Sequence, residues 1–159
     1  MGGKDAKTNE MLIRKYTKKD DIVMHTDMSG SPFVVIKEGQ KADEDTLREA
    51  AEFCAAYSKA WKVGIGAVDV YWVYPEQVSK RVPAGEYLTK GAFMIYGEKN
   101  WIRRVELRIA IGKTKEGIIY GPESFVKKKT KQYVVLTPGD MNLKDIKDVL
   151  VKKGFNIDF

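Results

Sequence analysis

The run DEDTLREAAEFCAAYSKAWK (Asp43–Lys62), followed after four residues by AVDVYWVY (Ala67–Tyr74), decides the fold class. Asp43, Glu44 and Asp45 place negative charge at the start of the first run, where a helix dipole is positive. Leu47, Ala50, Ala51, Cys54, Tyr57 and Trp61 then recur at helical spacing and form a stripe long enough to cover a sheet. The alanines allow that helix to approach the sheet closely. Ala67–Tyr74 alternates β-branched and aromatic residues and stops at Pro75, which predicts a strand. Gly64 and Gly66 between the two runs read as a helix stop and a strand entry. They follow a helix rather than open one, so they do not form a Rossmann phosphate turn. Cys54 lies on the apolar stripe and reads as a small buried residue rather than a reactive thiol.

Outward from this pair, helices and strands are interspersed. Residues 5–16 predict a short helix capped by Asp5, with Asn9, Leu12, Ile13 and Tyr16 on one stripe. Ile22–His25 and Phe33–Ile36 predict strands, separated by the Met28–Pro32 turn. Glu76–Lys90, interrupted by Pro83 and Gly85, predicts a long ordered loop of the kind that often carries function. Ala92–Tyr96 predicts a strand, and Arg104–Ile111 a second one with a charged outer face. A polar turn is expected at Gly112–Glu116, then a short strand at Ile118–Tyr120, a helical turn at Pro122–Lys129 and a strand at Tyr133–Leu136. Asn142 caps a last helix, with Leu143, Ile146, Val149 and Leu150 facing inward and Gly154 as the stop. Without regular βα units, the expected class is α+β. It is a single domain with one mixed β-sheet and the long helix, about 43–62, on one face.

The chain of 159 residues is 43% hydrophobic and 31% charged, which suits a compact core and excludes a disordered tail. No apolar run approaches the ~18–20 residues that cross a bilayer, and the first residues lack a signal-peptide core. With one cysteine (Cys54) and one histidine (His25), an internal disulfide is impossible and a zinc site lacks ligands. A cytoplasmic location is expected; no metal, cofactor or catalytic residue is assigned. The net charge is +6, and its placement matters more than its size. Residues 1–76 carry 11 Lys/Arg against 13 Asp/Glu, residues 132–159 carry 4 against 4, and residues 77–131 carry 13 against 5. An excess confined to a third of the chain fits a polyanion partner; a solvated lysine-rich face has the same composition.

Walker A, G-x-S-x-G and H-E-x-x-H motifs are absent. His25 and Asp27 are two apart, so on a strand they share a face, where the carboxylate would fix the imidazole tautomer. Acid/base catalysis and a structural hydrogen-bonded pair both fit, and no nucleophile stands beside them. Ser29-Gly30-Ser31 offers hydroxyls and a backbone N–H to a phosphate, as many tight turns do. Tyr71–Arg104 interleaves aromatics (Tyr71, Trp72, Tyr74, Tyr87, Phe93, Tyr96, Trp101) with cations (Lys80, Arg81, Lys90, Lys99, Arg103, Arg104). Cations hold phosphates and exposed aromatic faces stack on unpaired bases. Half of these aromatics belong to a core; Tyr87 and Trp101 are the expected exposed ones. Lys127–Lys131 is either a phosphate contact or a solvated turn.

YWVYPEQVSKRVPAGEYLTKGAFMIYGEKNW (Tyr71–Trp101) resembles the signature of the NFACT-R domain of ribosome quality control proteins. The specific pieces are Gln77-Val78-Ser79-Lys80, Gly85–Thr89 and Gly91–Ile95. GGKDAKTNEMLIRKY (Gly2–Tyr16), DDIVMHTDMSGSPFVVIK (Asp20–Lys37) and Tyr57–Trp61 fit as well, so the resemblance covers residues 2–104. Thr137-Pro138-Gly139-Asp140 resembles the end of archaeal members. The resemblance implies one domain over 1–159, with a signature region at 2–104, a C-terminal extension at 113–159 and the character of a stand-alone archaeal form. It implies an RNA-binding module working in ribosome-associated quality control or RNA processing, with tRNA or ribosomal RNA and the large ribosomal subunit as partners. Two other readings stay open: an RNA-modifying enzyme using His25 and Asp27, and a protein-interaction module docking on the ribosome. The expected RNA contacts are His25, Asp27, Ser79, Lys80, Arg81, Tyr87, Lys90, Lys99, Trp101, Arg103 and Arg104. The resemblance implies a strand pair ahead of the GGKDAKTNE stretch, so either the start is shortened or the sheet has an uncovered edge, which would invite a homodimer.

Overall fold

A computed structural model describes residues 1–139 and 141–155. Asp140, at the end of the Thr137–Asp140 segment, and residues 156–159 lie outside the described residues. Asp5 accepts the Thr8 N–H at 2.8 Å and starts α1 (Ala6–Met11), as its side chain predicts. The helix continues as a wider π turn over Leu12–Tyr16. Four antiparallel strands follow the order β2-β1-β3-β6: β1 (Ile22–Thr26), β2 (Val34–Ile36), β3 (Ala67–Val73) and β6 (Asn100–Glu106). Between β3 and β6 lie the two-residue strands β4 (Val78–Ser79) and β5 (Met94–Ile95), which pair with each other. A third sheet, in the order β8-β7-β9, joins β7 (Ile109–Thr114), β8 (Gly117–Pro122) and β9 (Tyr133–Leu136).

The class is α+β, and α2 (Glu44–Ala56) lies across one face of the four-stranded sheet. Three antiparallel sheets replace the single mixed sheet expected from the sequence. Ala51, Cys54 and Ala55 of α2 pack against Met24, Val68, Val70 and Val105. Burial pushes the Cys54 thiol up to about 12, which leaves it inert. The helix is shorter than expected because the Ser58 hydroxyl takes the Ala55 carbonyl at 2.7 Å. Past that point Tyr57 is exposed, and Lys59–Trp61 forms a short 3-10 turn. The opposite sheet face, with Val23, Val35, Tyr71 and Val73, is closed by Leu12 and Ile13 and by Val78, Phe93 and Ile95.

The strand expected over 104–111 is two strands. Leu107 stays in the core under α2, its N–H donating to the Gly66 carbonyl at 2.9 Å, while Ile111 enters a separate core with Leu150 and Phe155. The chain therefore changes sheets at Leu107-Arg108. β7 also runs through the expected 112–116 turn as far as Thr114. α3 (Glu123–Lys129) ties this part to α2 through Ser124 on Glu52 and through Lys128 on Glu49 at 2.8 Å. α4 (Leu143–Lys152) begins at the Asn142 cap and buries Leu150, but Leu143 is exposed rather than inward.

Within the four-stranded sheet, Val70 pairs with Ile102 and Val68 with Val105, so Asp69 faces both Arg103 and Arg104. This bulge sets Arg104 at φ +53°, a left-handed conformation in mid-strand. Asp69 holds it, its carboxylate accepting the Arg104 N–H at 2.8 Å and an Arg103 guanidinium N–H at 2.9 Å. Those two contacts, the backbone one first, keep the Asp69 carboxyl below its usual range. An uncovered sheet edge is expected; the edge at β2 is occupied by residues 1–3: Gly2 bridges Val34, and the Val35 N–H donates to the Met1 carbonyl at 2.7 Å.

Gly91 fixes the loop before β5 against α1. Its φ is +82°, its N–H donates to Glu10 at 3.1 Å, and a Cβ there would lie 2.5 Å from the Ala6 Cα. Gly91→Ala is expected to cost roughly 1–3 kcal/mol, from backbone strain and the clash with α1. It should lower the denaturant midpoint and speed tryptic cleavage at Lys80, Arg81 and Lys90; an unchanged midpoint would refute this role.

Candidate nucleic-acid interface

One groove of about 930 Å³ gathers segments that are far apart in the chain. It is lined by Gly2–Ala6 ahead of and entering α1, His25–Asp27 at the end of β1 and Ser29–Phe33 after it. Phe53, Tyr57 and Lys59 come from the end of α2, Tyr71 from β3, Thr89–Phe93 from the long loop, and Lys99 and Trp101 from β6.

A chain of aromatic rings runs along the groove. Trp101 meets the edge of Tyr71 at 5.3 Å, Tyr71 lies 6.1 Å from His25, His25 lies 4.5 Å from Phe33, and Phe33 meets Phe93 edge-on at 5.6 Å. Phe53 and Tyr57 pair at 4.7 Å and add aromatic surface from α2. Trp101 keeps 38% of its surface exposed, whereas Tyr71 is buried and its phenol is pushed up to about 12 by that burial.

Four lysines stand around these rings. Lys99 sits 4.7 Å over Tyr71 and 5.7 Å from the Trp101 ring centre. Lys59 lies along Gly30, where a Cβ would come within 2.5 Å of its ammonium; the φ of +81° and the bare Cα together make that approach possible. Lys4 and Lys90 complete the set. Among the described residues none of the four forms an ion pair. Of the two lining carboxylates, Asp5 is committed to capping α1 and Asp27 is exposed.

The sequence-based site residues fall into three groups. His25, Asp27, Lys90, Lys99 and Trp101 line the groove. Ser79, Lys80 and Arg81 lie beside it and act as braces. Lys80 pairs with Glu10, donates to the Ala92 carbonyl at 2.6 Å and covers the Phe93 ring at 4.4 Å. The Ser79 hydroxyl accepts the Arg81 N–H at 3.0 Å, and the Arg81 carbonyl accepts the Tyr96 hydroxyl at 2.6 Å. Tyr87 is 83% exposed on the loop and outside the groove lining. Arg103 stacks on Trp101 at 4.2 Å while bound to Asp69, and Arg104 lines a different pocket.

Two local expectations change. Among the described residues no hydrogen bond joins His25 to Asp27, because β1 ends at Thr26. His25 Nδ1 instead lies 2.6 Å from the Thr26 carbonyl and Nε2 lies 2.9 Å from the Ser31 carbonyl. The Ser31 hydroxyl is buried against Thr26 and the Met28 carbonyl, so within Ser29–Ser31 only Ser29 and the backbone of the turn face a ligand. Lys4, Phe53 and Lys59 were outside the sequence-based list. Lys4 and Lys59 lie in the resembling segments 2–16 and 57–61, which converge on the groove, and the net charge of residues 1–76 conceals them; Phe53 lies in neither segment.

Burial lowers the His25 pKa below 6.5, Lys99 adds to this, and the two carbonyls oppose it. Between the folded value and about 6.5, the unfolded chain binds a proton that the folded chain does not, so stability through this group is complete above about pH 6.5 and declines as pH falls. The melting temperature should therefore drop between about pH 7 and pH 5, ahead of the carboxylate range, and drop less in His25→Gln. Parallel curves for the two proteins would refute this.

The profile of the NFACT protein RNA binding domain matches residues 1–97. The chain is 44% identical, over 99% of its length, to the archaeal Rqc2 homolog aRqcH of Methanocaldococcus jannaschii, and spans 25% of that protein. It is 41% identical to the human ribosome quality control complex subunit NEMF over 64% of the chain, spanning 10% of that protein. The C-terminal part of the fibronectin/fibrinogen-binding protein from Streptococcus suis shares the fold, with a TM-score of 0.58 over 82% of this chain at 21% identity. The chain spans about a quarter or less of the relatives it matches in sequence, and its first 97 residues carry the match to the RNA binding domain. Most of the groove lining comes from those residues, with Lys99 and Trp101 just beyond them, and the kinship makes this part of the molecule intelligible: the chain belongs to the NFACT-R family of RNA binding domains.

Proposed function

We propose that the groove binds RNA, with tRNA or ribosomal RNA as the ligand, and that the chain serves ribosome quality control on the large ribosomal subunit. The observation that carries this is the set of four lysines without carboxylate partners, held around a run of aromatic rings. Ammonium groups take phosphates, and an unpaired base stacks on the half-exposed platform that Trp101 forms with the Arg103 guanidinium lying on it. A groove with aromatic walls suits single-stranded loops or ends, whose bases splay outward, better than the regular surface of a duplex. The kinship with Rqc2 and NEMF supports the ribosomal setting. His25, with both ring nitrogens on backbone carbonyls, serves as a brace for the 26–31 turn rather than as an acid or base. Lys80 and Gln77 hold the loop that presents Lys90. Gln77 does so by donating to the Tyr96 and Glu98 carbonyls, each at 2.7 Å.

Fluorescence anisotropy with tRNA across a salt series tests the reading. If all four lysines contact phosphates of a single-stranded segment, log affinity should fall with log salt at a slope of roughly −3. Lys59→Glu with Lys90→Glu should halve that slope or more and weaken binding at least tenfold at low salt. His25→Ala should leave low-salt affinity within a few-fold while lowering stability. Absence of tRNA and rRNA binding at low salt would overturn the proposal.

A further inference from the structure

A second pocket, of about 450 Å³, lies between α2, β6 and α3 and is separate from the groove lining. Four cations line it (Arg48, Arg104, Arg108 and Lys127), with Glu52, Glu106 and Glu123. Two of the cations are spoken for: Arg48 faces Glu52 at 3.9 Å, and Arg108 pairs with Glu123. Among the described residues Arg104 and Lys127 have no carboxylate partner, and Glu106 is the one acid of the pocket without a paired cation.

Arg104 reaches this pocket from a strained backbone. A non-glycine residue at φ +53° in a strand is costly, and glycine would fit the position better. Asp69 stabilises the strained turn through the Arg104 N–H and leaves the Arg104 guanidinium free of that contact. Strain kept in this way at an arginine points to a use for the side chain. The neighbouring Arg103 is stacked on Trp101, which lines the groove. Trp101 and Arg104 are three residues apart, roughly 10 Å along the strand, about the rise of three stacked nucleotides.

We infer that Arg104 and Lys127 form a second phosphate contact, which holds an RNA strand after it leaves the groove and passes Trp101 and Arg103. The inference rests on the groove being an RNA site. The strand crosses β6 at the bulge, and Glu106 tempers the attraction there. A short oligonucleotide seated in the groove does not reach the second contact, whereas a longer one engages both.

The test compares a uridine trimer with a uridine decamer on the full chain, by NMR titration for the first and anisotropy for the second. Arg104→Gly suits the left-handed backbone and removes only the side chain, and Lys127→Ala sits on an exposed helix face. The double variant should keep its melting temperature and bind the trimer as wild type does. It should bind the decamer roughly tenfold or more weakly, with the salt slope reduced by about 1.4. Glu106→Gln should strengthen decamer binding. Unchanged decamer affinity in the double variant, or equal loss for trimer and decamer, would overturn the second contact while leaving the groove reading intact. Failure of the wild-type chain to bind either oligonucleotide would overturn both.

Discussion

The Asp69 carboxylate holds the point on which the sheet and both clefts depend. It accepts from the Arg104 backbone and from the Arg103 side chain, and so fixes two residues of β6 opposite one of β3. Side chains on a strand alternate between faces, and a bulge shifts the phase by one. Ile102 and Val105 consequently both reach the core under α2, while Trp101 remains on the opposite face beside Tyr71. Without that shift, one of these apolar residues would point to solvent. The Asp69 carbonyl also accepts the Asp27 N–H at 3.0 Å, tying the bulge to the end of β1, where the groove begins.

The groove inherits its shape from a set of supports beneath and beside it. Gln77 and Lys80, the two ends of the Gln77–Lys80 motif, anchor the long loop to backbone carbonyls and to Glu10 of α1. On the other side, Asp21 is buried and would be pushed up by that burial. Lys37 and the N–H groups of Lys18 and Glu38 outweigh the effect and hold it below its usual range. Gly30 and Gly91 supply the two backbone turns where a side chain would collide with Lys59 and with α1.

Charge counting along the chain finds only part of the groove's cations. Lys90 and Lys99 come from the basic third, but Lys4 and Lys59 come from a stretch with more acids than bases. Several acids of that stretch are spent on structure: Asp5 and Asp43 as caps, Glu10 on Lys80, Asp21 on Lys37, Glu49 and Glu52 on α3. Lys80, conspicuous in the sequence, is similarly spent on structure. Whether a charge is free is a property of its neighbours in space.

The sequence alone determined the local elements. Asp5, Asp43 and Asn142 each accept a backbone N–H three residues on, so their helices start where the side chains predict. The α2 stripe buries Ala51 and Cys54, β3 follows its alternating residues, and β1 and β9 form on the short apolar runs that predict them. These depend on spacings of two to four residues, which a linear reading contains. Tertiary structure decided the break of 104–111 into two sheets, the bulge at Arg104, the closure of the β2 edge by Met1–Gly3, and the company His25 keeps. Each depends on a hydrogen bond between segments brought together only by folding: Leu107 to Gly66, Arg104 to Asp69, Val35 to Met1, and the Ser31 carbonyl to a ring six residues away across a turn. Local periodicity carries no record of those partners, because the energy that selects them appears only once the strands have paired and the core has excluded water.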